Sequence, residues 1–139
     1  MKAVIDSNII FSAIISGKQF YIDIIQSNEF YTPDIVFIEL EKYETRIIEK
    51  SRLPIEDFRK FVKMLFEEIV VIPKMAISKE NWQKAYNLCK DVDEKDTPFI
   101  ALSLELSMPV WTNDKSLTDG LKAKDFNQFI STEQLMSTE

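Results

Sequence analysis

Apolar positions along this chain come in short runs separated by longer stretches of helical period. Val4 and Ile5 form a short run that stops at Asp6, and a second run from Ile9 to Ile15 stops at Ser16, Gly17 and Lys18. This predicts a strand over 2–6 and a helix over 7–15. Phe20, Ile24 and Ile25 continue as another short helix ending around Ser27 and Asn28. Phe30 to Thr32 reads as a strand before Pro33 and Asp34, a helix-start signal. The helix that follows, about 34–50, carries Ile35, Ile38, Tyr43, Ile47 and Ile48 on an approximate apolar face.

Pro54 with acids in the first turn opens the next helix, which runs to about Glu68 with Phe58, Phe61, Val62, Leu65 and Phe66 inward. Ile69 to Ile72 reads as a buried strand closed by Pro73. Ser78 begins a helix with Trp82, Ala85, Tyr86 and Cys89, and Asp96 to Pro98 start a strongly apolar helix from Phe99 to Leu106. Val110 to Thr112 is a strand ending in Asn113 and Asp114. A short helix over 116–123, a last strand around 128–131 and a final turn at Thr132 and Glu133 complete the chain. Strands alternating with helices predict a three-layer α/β/α domain with a mostly parallel sheet of four to five strands. At 139 residues, one domain spanning 1–139 is expected, with no internal repeat or linker.

Composition changes the picture mainly by what it lacks. The chain has no histidine, which removes Ser-His-Asp triads, Cys-His pairs and histidine-ligated zinc. With only Gly17 and Gly120, neither a dinucleotide fingerprint nor a phosphate-binding P-loop can be written. The lone Cys89 cannot pair internally and reads as core. What remains for catalysis is mainly carboxylates, lysines and hydroxyls, and carboxylates combine naturally with a hard ion such as Mg²⁺ or Mn²⁺. No apolar run approaches the roughly 18 residues of a membrane span, and the start is too short for a signal peptide, so no membrane association and a cytoplasmic location are expected. A net charge of -6 argues against a broad basic surface for nucleic acid. The local patch Lys42, Arg46, Lys50 and Arg52 is the best candidate for such contacts, although a solvated helix face is the commoner account of such a mixed run taken alone.

Asp6 and Asp114 each follow a strand, where an open parallel sheet places its ligands. Both also fit as helix caps. Ser7 and Asn8 read as capping residues or as groups that orient Asp6 or a metal-bound water. Asp96 opens an apolar helix, where the helix dipole already favours a carboxylate. Asp93 lies three residues earlier in an acidic run, and Glu39 falls among Ile35, Val36, Phe37, Ile38 and Leu40, where a burial-prone carboxylate needs a basic partner or a metal. Glu41 should point away from a site that Glu39 faces.

The order is the specific feature: Val4 to Asn8 around Asp6, Glu39 in an apolar helix, Asp96 to Leu102, then Trp111 to Lys115 around Asp114. In these segments, and over nearly its whole length, the chain resembles the PIN-domain nucleases, which include many toxins of toxin-antitoxin pairs. The resemblance implies a PIN-like fold and an acidic quartet of Asp6, Glu39, Asp96 and Asp114 that binds Mg²⁺ or Mn²⁺ and supports hydrolysis of RNA phosphodiester bonds. It assigns accessory positions to Asn8, Asp93 and Thr112, and Arg46 is the candidate for substrate contact. An RNA substrate, a small antitoxin partner lying over the site near Phe11, Phe20 and Phe37, and a homodimer are further implications. Two rivals stand beside it: a phosphatase with a strand-end aspartate nucleophile, which usually needs a second aspartate where Asn8 stands, and a catalytically inactive PIN-like interaction module.

Overall fold

The computed structural model describes residues 1–137, so the last two residues of the expected domain lie outside the described part. The first strand, β1 (Lys2–Ile5), is followed by α1 (Ser7–Ser16), α2 (Gln19–Ser27) and β2 (Glu29–Pro33). Next come α3 (Ile35–Ser51), α4 (Ile55–Glu67) and β3 (Ile69–Ile72), then α5 (Lys79–Cys89) and α6 (Thr97–Leu106). The chain closes with β4 (Val110–Trp111), α7 (Lys115–Lys122), β5 (Phe129–Ile130) and α8 (Thr132–Met136). Single 3₁₀ turns at Lys74–Ala76 and Glu94–Asp96 precede α5 and α6. Among the described residues no helix is long and apolar enough to cross a membrane.

The strands form one five-stranded sheet in the order β3-β2-β1-β4-β5, parallel throughout. Parallel strands need crossovers, and the helices between them cover both faces of the sheet. The period of two in β1 separates the faces: Ala3 and Ile5 enter one core with residues of α1 to α4 and α8, whereas Val4 enters the other with α5, α6 and α7. Phe30 and Tyr31, Val110 and Trp111, and Phe129 and Ile130 divide between the cores in the same way. Three layers result, as the alternation predicts.

Helix α6 buries six residues from Thr97 to Ser103, because an apolar surface all round has to be covered on all sides. Gly17 ends α1 at φ +61°, a left-handed position that favours glycine, and its amide donates to the Ala13 carbonyl at 3.0 Å.

Two expectations of burial need correction. Ile69–Ile72 is an edge strand of the sheet, with no strand beyond it among the described residues, and Val70 is half exposed there. Ile38 is 62% exposed, not inward: α3 packs through Val36 and Ile47, and that orientation turns Ile38 and Phe37 outward. Phe37 leans on Phe66 of α4 at a ring separation of 5.1 Å.

Strand order reverses beside β1, which pairs with β2 on one side and β4 on the other. Crossover helices leave on opposite faces at such a point and open a crevice beyond the strand ends. Asp6 follows β1 there, and Thr112 to Asp114 follow β4.

Candidate active site

The two strand-end aspartates differ in role. Asp114 caps α7, accepting from the Leu117 amide at 3.0 Å, as its sequence position permits. Asp6 precedes α1 but makes no side-chain capping bond; instead its Oδ2 accepts from the Thr112 hydroxyl at 2.7 Å. The same Thr112 oxygen accepts from the Asp114 amide at 3.1 Å, so Thr112 ties the end of β1 to the loop after β4. Thr112 and Asp6 are both buried.

Glu39 stands on α3, half-buried, and its Oε2 accepts from the Ser7 hydroxyl at 3.0 Å. Ser7 therefore orients Glu39, whereas the sequence suggests it as a support for Asp6. Asp96 is 8% exposed at the start of α6. Asp93 is exposed and accepts from the Lys95 amide at 3.1 Å, closing the turn that leads into Asp96. Asn8, exposed on the first turn of α1, and Arg46, exposed on α3, line a cavity of about 420 Å³ together with Glu39, Asp93, Asp96 and Lys95. Lys50 joins Arg46 on this rim, whereas Glu41 lines a separate groove between α3 and α4.

Electrostatics couple these groups. Burial pushes the Asp96 carboxyl up to about 7, and the negative charges of Asp6, Asp93, Asp114 and Glu39 add to it in that order. Burial also raises Asp6, opposed by the Thr112 hydrogen bond and the backbone of Asn8, reinforced by Asp114 and opposed again by the backbone of Ser7. Glu39 is raised by burial, opposed by Ser7, and raised further by Asp6, while Lys95 and Lys42 draw it down. Two buried carboxylate oxygens, Asp6 Oδ1 and Asp96 Oδ2, have no hydrogen-bond partner. Leaving such atoms unpaired is costly, and a cation is the partner that both oxygens and the surrounding charge call for. The donors are all oxygens, which suits a hard divalent ion. Among the described residues, however, no three His, Cys, Asp or Glu side chains stand close enough to form a coordination cage as they are.

Cys89 is buried with its thiol pushed up to about 12, first by burial and then by Asp96, which keeps it an inert core group. Lys95 is a charged lining residue that sequence reasoning did not single out for the site. Lys95 lies hidden in an acidic run, and only its place beside Asp96 marks it.

The fold defines a doubly wound parallel α/β domain, in which Glu39, Asp93 and Asp96 line one cavity and Asp6 and Asp114, which do not line it, still act on Asp96 through their charge. A model of the PIN domain matches residues 4–135, and the chain belongs to this family of nucleases, which generally use divalent metal ions. Among solved structures, the chain is similar to the crystal structure of VapBC2 from Rickettsia felis bound to a DNA fragment from their promoter. The two share 16% sequence identity at a TM-score of 0.61, over 94% of this chain and 97% of that one, a likeness of fold. No curated protein matches the chain.

Proposed function

We propose that this protein is a metal-dependent endoribonuclease in which Asp6, Glu39, Asp96 and Asp114 hold Mg²⁺ or Mn²⁺, and that it acts as the toxin of a toxin-antitoxin pair. The observation that carries the reading is the pair of buried, unpartnered carboxylate oxygens on Asp6 and Asp96 beside further acids. When bound, the ion supplies Lewis acidity toward a phosphoryl oxygen and the means to ionise water near neutral pH. Thr112 fixes the rotamer of Asp6 through its hydroxyl, and Ser7 does the same for Glu39. Asp93 closes the turn that presents Asp96. Arg46, Lys50 and Lys95 line the pocket as cations, offering phosphate contacts in a chain of net charge -6. Asn8 provides a neutral donor and acceptor on the same rim. The toxin role and an antitoxin partner draw support from the fold shared with the toxin-antitoxin complex.

The test is cleavage of single-stranded RNA with Mg²⁺ or Mn²⁺ against the Asp6→Asn and Asp96→Asn variants. Loss of cleavage in both, with native circular dichroism retained, is expected, and full activity in either would sink the assignment. The second reading, an inactive interaction module, has one observation on its side: no coordination cage stands assembled among the described residues. Calorimetric titration with Mn²⁺ separates the two, since the module would take up no ion.

A further inference from the structure

We propose that a second cavity, between α3, α5 and the start of α6, is a nucleobase subsite that stacks an unpaired base of a single-stranded RNA beside the acidic pocket. The inference rests on the ribonuclease reading and names the part of the substrate that this surface takes. The cavity measures about 380 Å³ and is walled by Trp82 and Tyr86 of α5, Tyr43 of α3 and Pro98 of α6, with Ile35 and Ile38 of α3 adding aliphatic surface. It adjoins the acidic pocket, since Glu39, Tyr43 and Lys95 line both. A strand held by its phosphate in the acidic pocket thus has the aromatic walls next to it.

Charge and shape favour a nucleotide over other occupants. Lys42 and Lys95 line the cavity itself, with Glu39 and Glu94 as its acids. Lys74 Nζ sits over the Trp82 ring at 4.8 Å from its centre and lines the neighbouring cavity with Ile77 and Lys79, not this one, while Lys42 Nζ sits over the Tyr43 ring at 5.4 Å. The lysines supply positive charge for the phosphate, and the aromatic surface that Trp82 and Tyr86 give to the cavity supplies stacking for the base. Such a surface accepts unpaired bases, whose faces are hidden in a duplex. Trp82 is half-buried and Tyr86 is 38% exposed, so the walls are anchored yet open to solvent. An amphipathic peptide helix needs a longer apolar strip, of the kind that Phe37, Phe58, Val62 and Phe66 provide in the separate α3–α4 groove.

Intrinsic fluorescence tests the proposal, because the other tryptophan, Trp111, is fully buried and only Trp82 can meet a base. The protein is mixed with a short oligoadenylate or an abasic oligonucleotide of equal length, with Mg²⁺ and in parallel with chelator, and read before turnover. Oligoadenylate should quench Trp82, and the abasic strand should bind about 5- to 150-fold more weakly without quenching. Trp82→Ala should weaken oligoadenylate binding by a factor in the same range, whereas Trp82→Phe should retain most of it. Tyr86→Ala, at a more exposed position, should weaken it too and guards against a Trp82→Ala variant that fails to fold. Equal affinity for the abasic strand, unchanged affinity in folded Trp82→Ala and Tyr86→Ala, or quenching only by an apolar helical peptide would each overturn the subsite. Base-dependent quenching in a protein that cuts no RNA would refute the ribonuclease reading alone. Cleavage without base-dependent quenching would refute the subsite alone.

Discussion

Asp96→Asn should stabilise the metal-free protein at alkaline pH while abolishing cleavage. The Asp96 carboxyl rises from 3.8 to about 7 in the folded state, chiefly through burial at 8% exposure and secondarily through four neighbouring acids. Between these two values the folded state binds more protons than the unfolded chain, so stability falls as pH rises through the window. Below about pH 4 both states are protonated and the group costs nothing; above about pH 7 the cost is complete. The interval spans about three pH units at roughly 1.36 kcal/mol each, or about 4 kcal/mol as an order of magnitude. An asparagine of nearly the same shape carries no charge and escapes this cost. Urea unfolding of both proteins in chelator, at about pH 4 and again at about pH 8, should show the variant gaining roughly 2 to 4 kcal/mol on the wild type between the two conditions. Mn²⁺ should reverse the order at alkaline pH by binding the folded wild type and raising its midpoint. A stability difference that stays flat with pH would refute the argument that buried, mutually repelling acids strain this pocket.

Three further outcomes follow from particular contacts. Thr112→Val removes the hydroxyl bonded to Asp6 Oδ2 and should weaken Mn²⁺ affinity by about 10- to 100-fold in calorimetry, with the far-ultraviolet spectrum unchanged. Arg46→Ala, on the rim of the acidic pocket, should lower the slope of log affinity against log salt for single-stranded RNA by about 0.7, the share of one phosphate contact; an unchanged slope would remove Arg46 from the interface. Gly120→Ala would set a Cβ 2.8 and 2.9 Å from the two methyl groups of Val92, and should cost a net 1 to 2 kcal/mol or so in denaturant unfolding despite alanine's better helix propensity.

Much of this molecule was legible in its order of residues because hydrophobic period reports which face of an element is buried. The run before Asp6, the apolar helix after Asp96 and the inward residues Phe58 and Leu65 of α4 all follow from period alone. Period is silent about neighbours. Val70 belongs to an apolar run but lies on an edge strand, and Ile38 fits a helical stripe but faces outward, because each exposure depends on what packs beside the element.

The same division holds in the pocket. Sequence position put Asp6 and Asp114 at strand ends and left both open to a capping role. Strand order distinguishes them: β1 lies against β4, so Thr112 reaches Asp6 across 106 positions of chain and bonds its Oδ2, while Asp114 caps α7. Ser7 meets Glu39, and Lys95 enters both cavities, for the same reason. Residue types and their spacing determine the elements and the chemistry available to them. Tertiary packing alone decides which carboxylates share a low-dielectric pocket, because desolvation and charge coupling depend on distance in space and not along the chain.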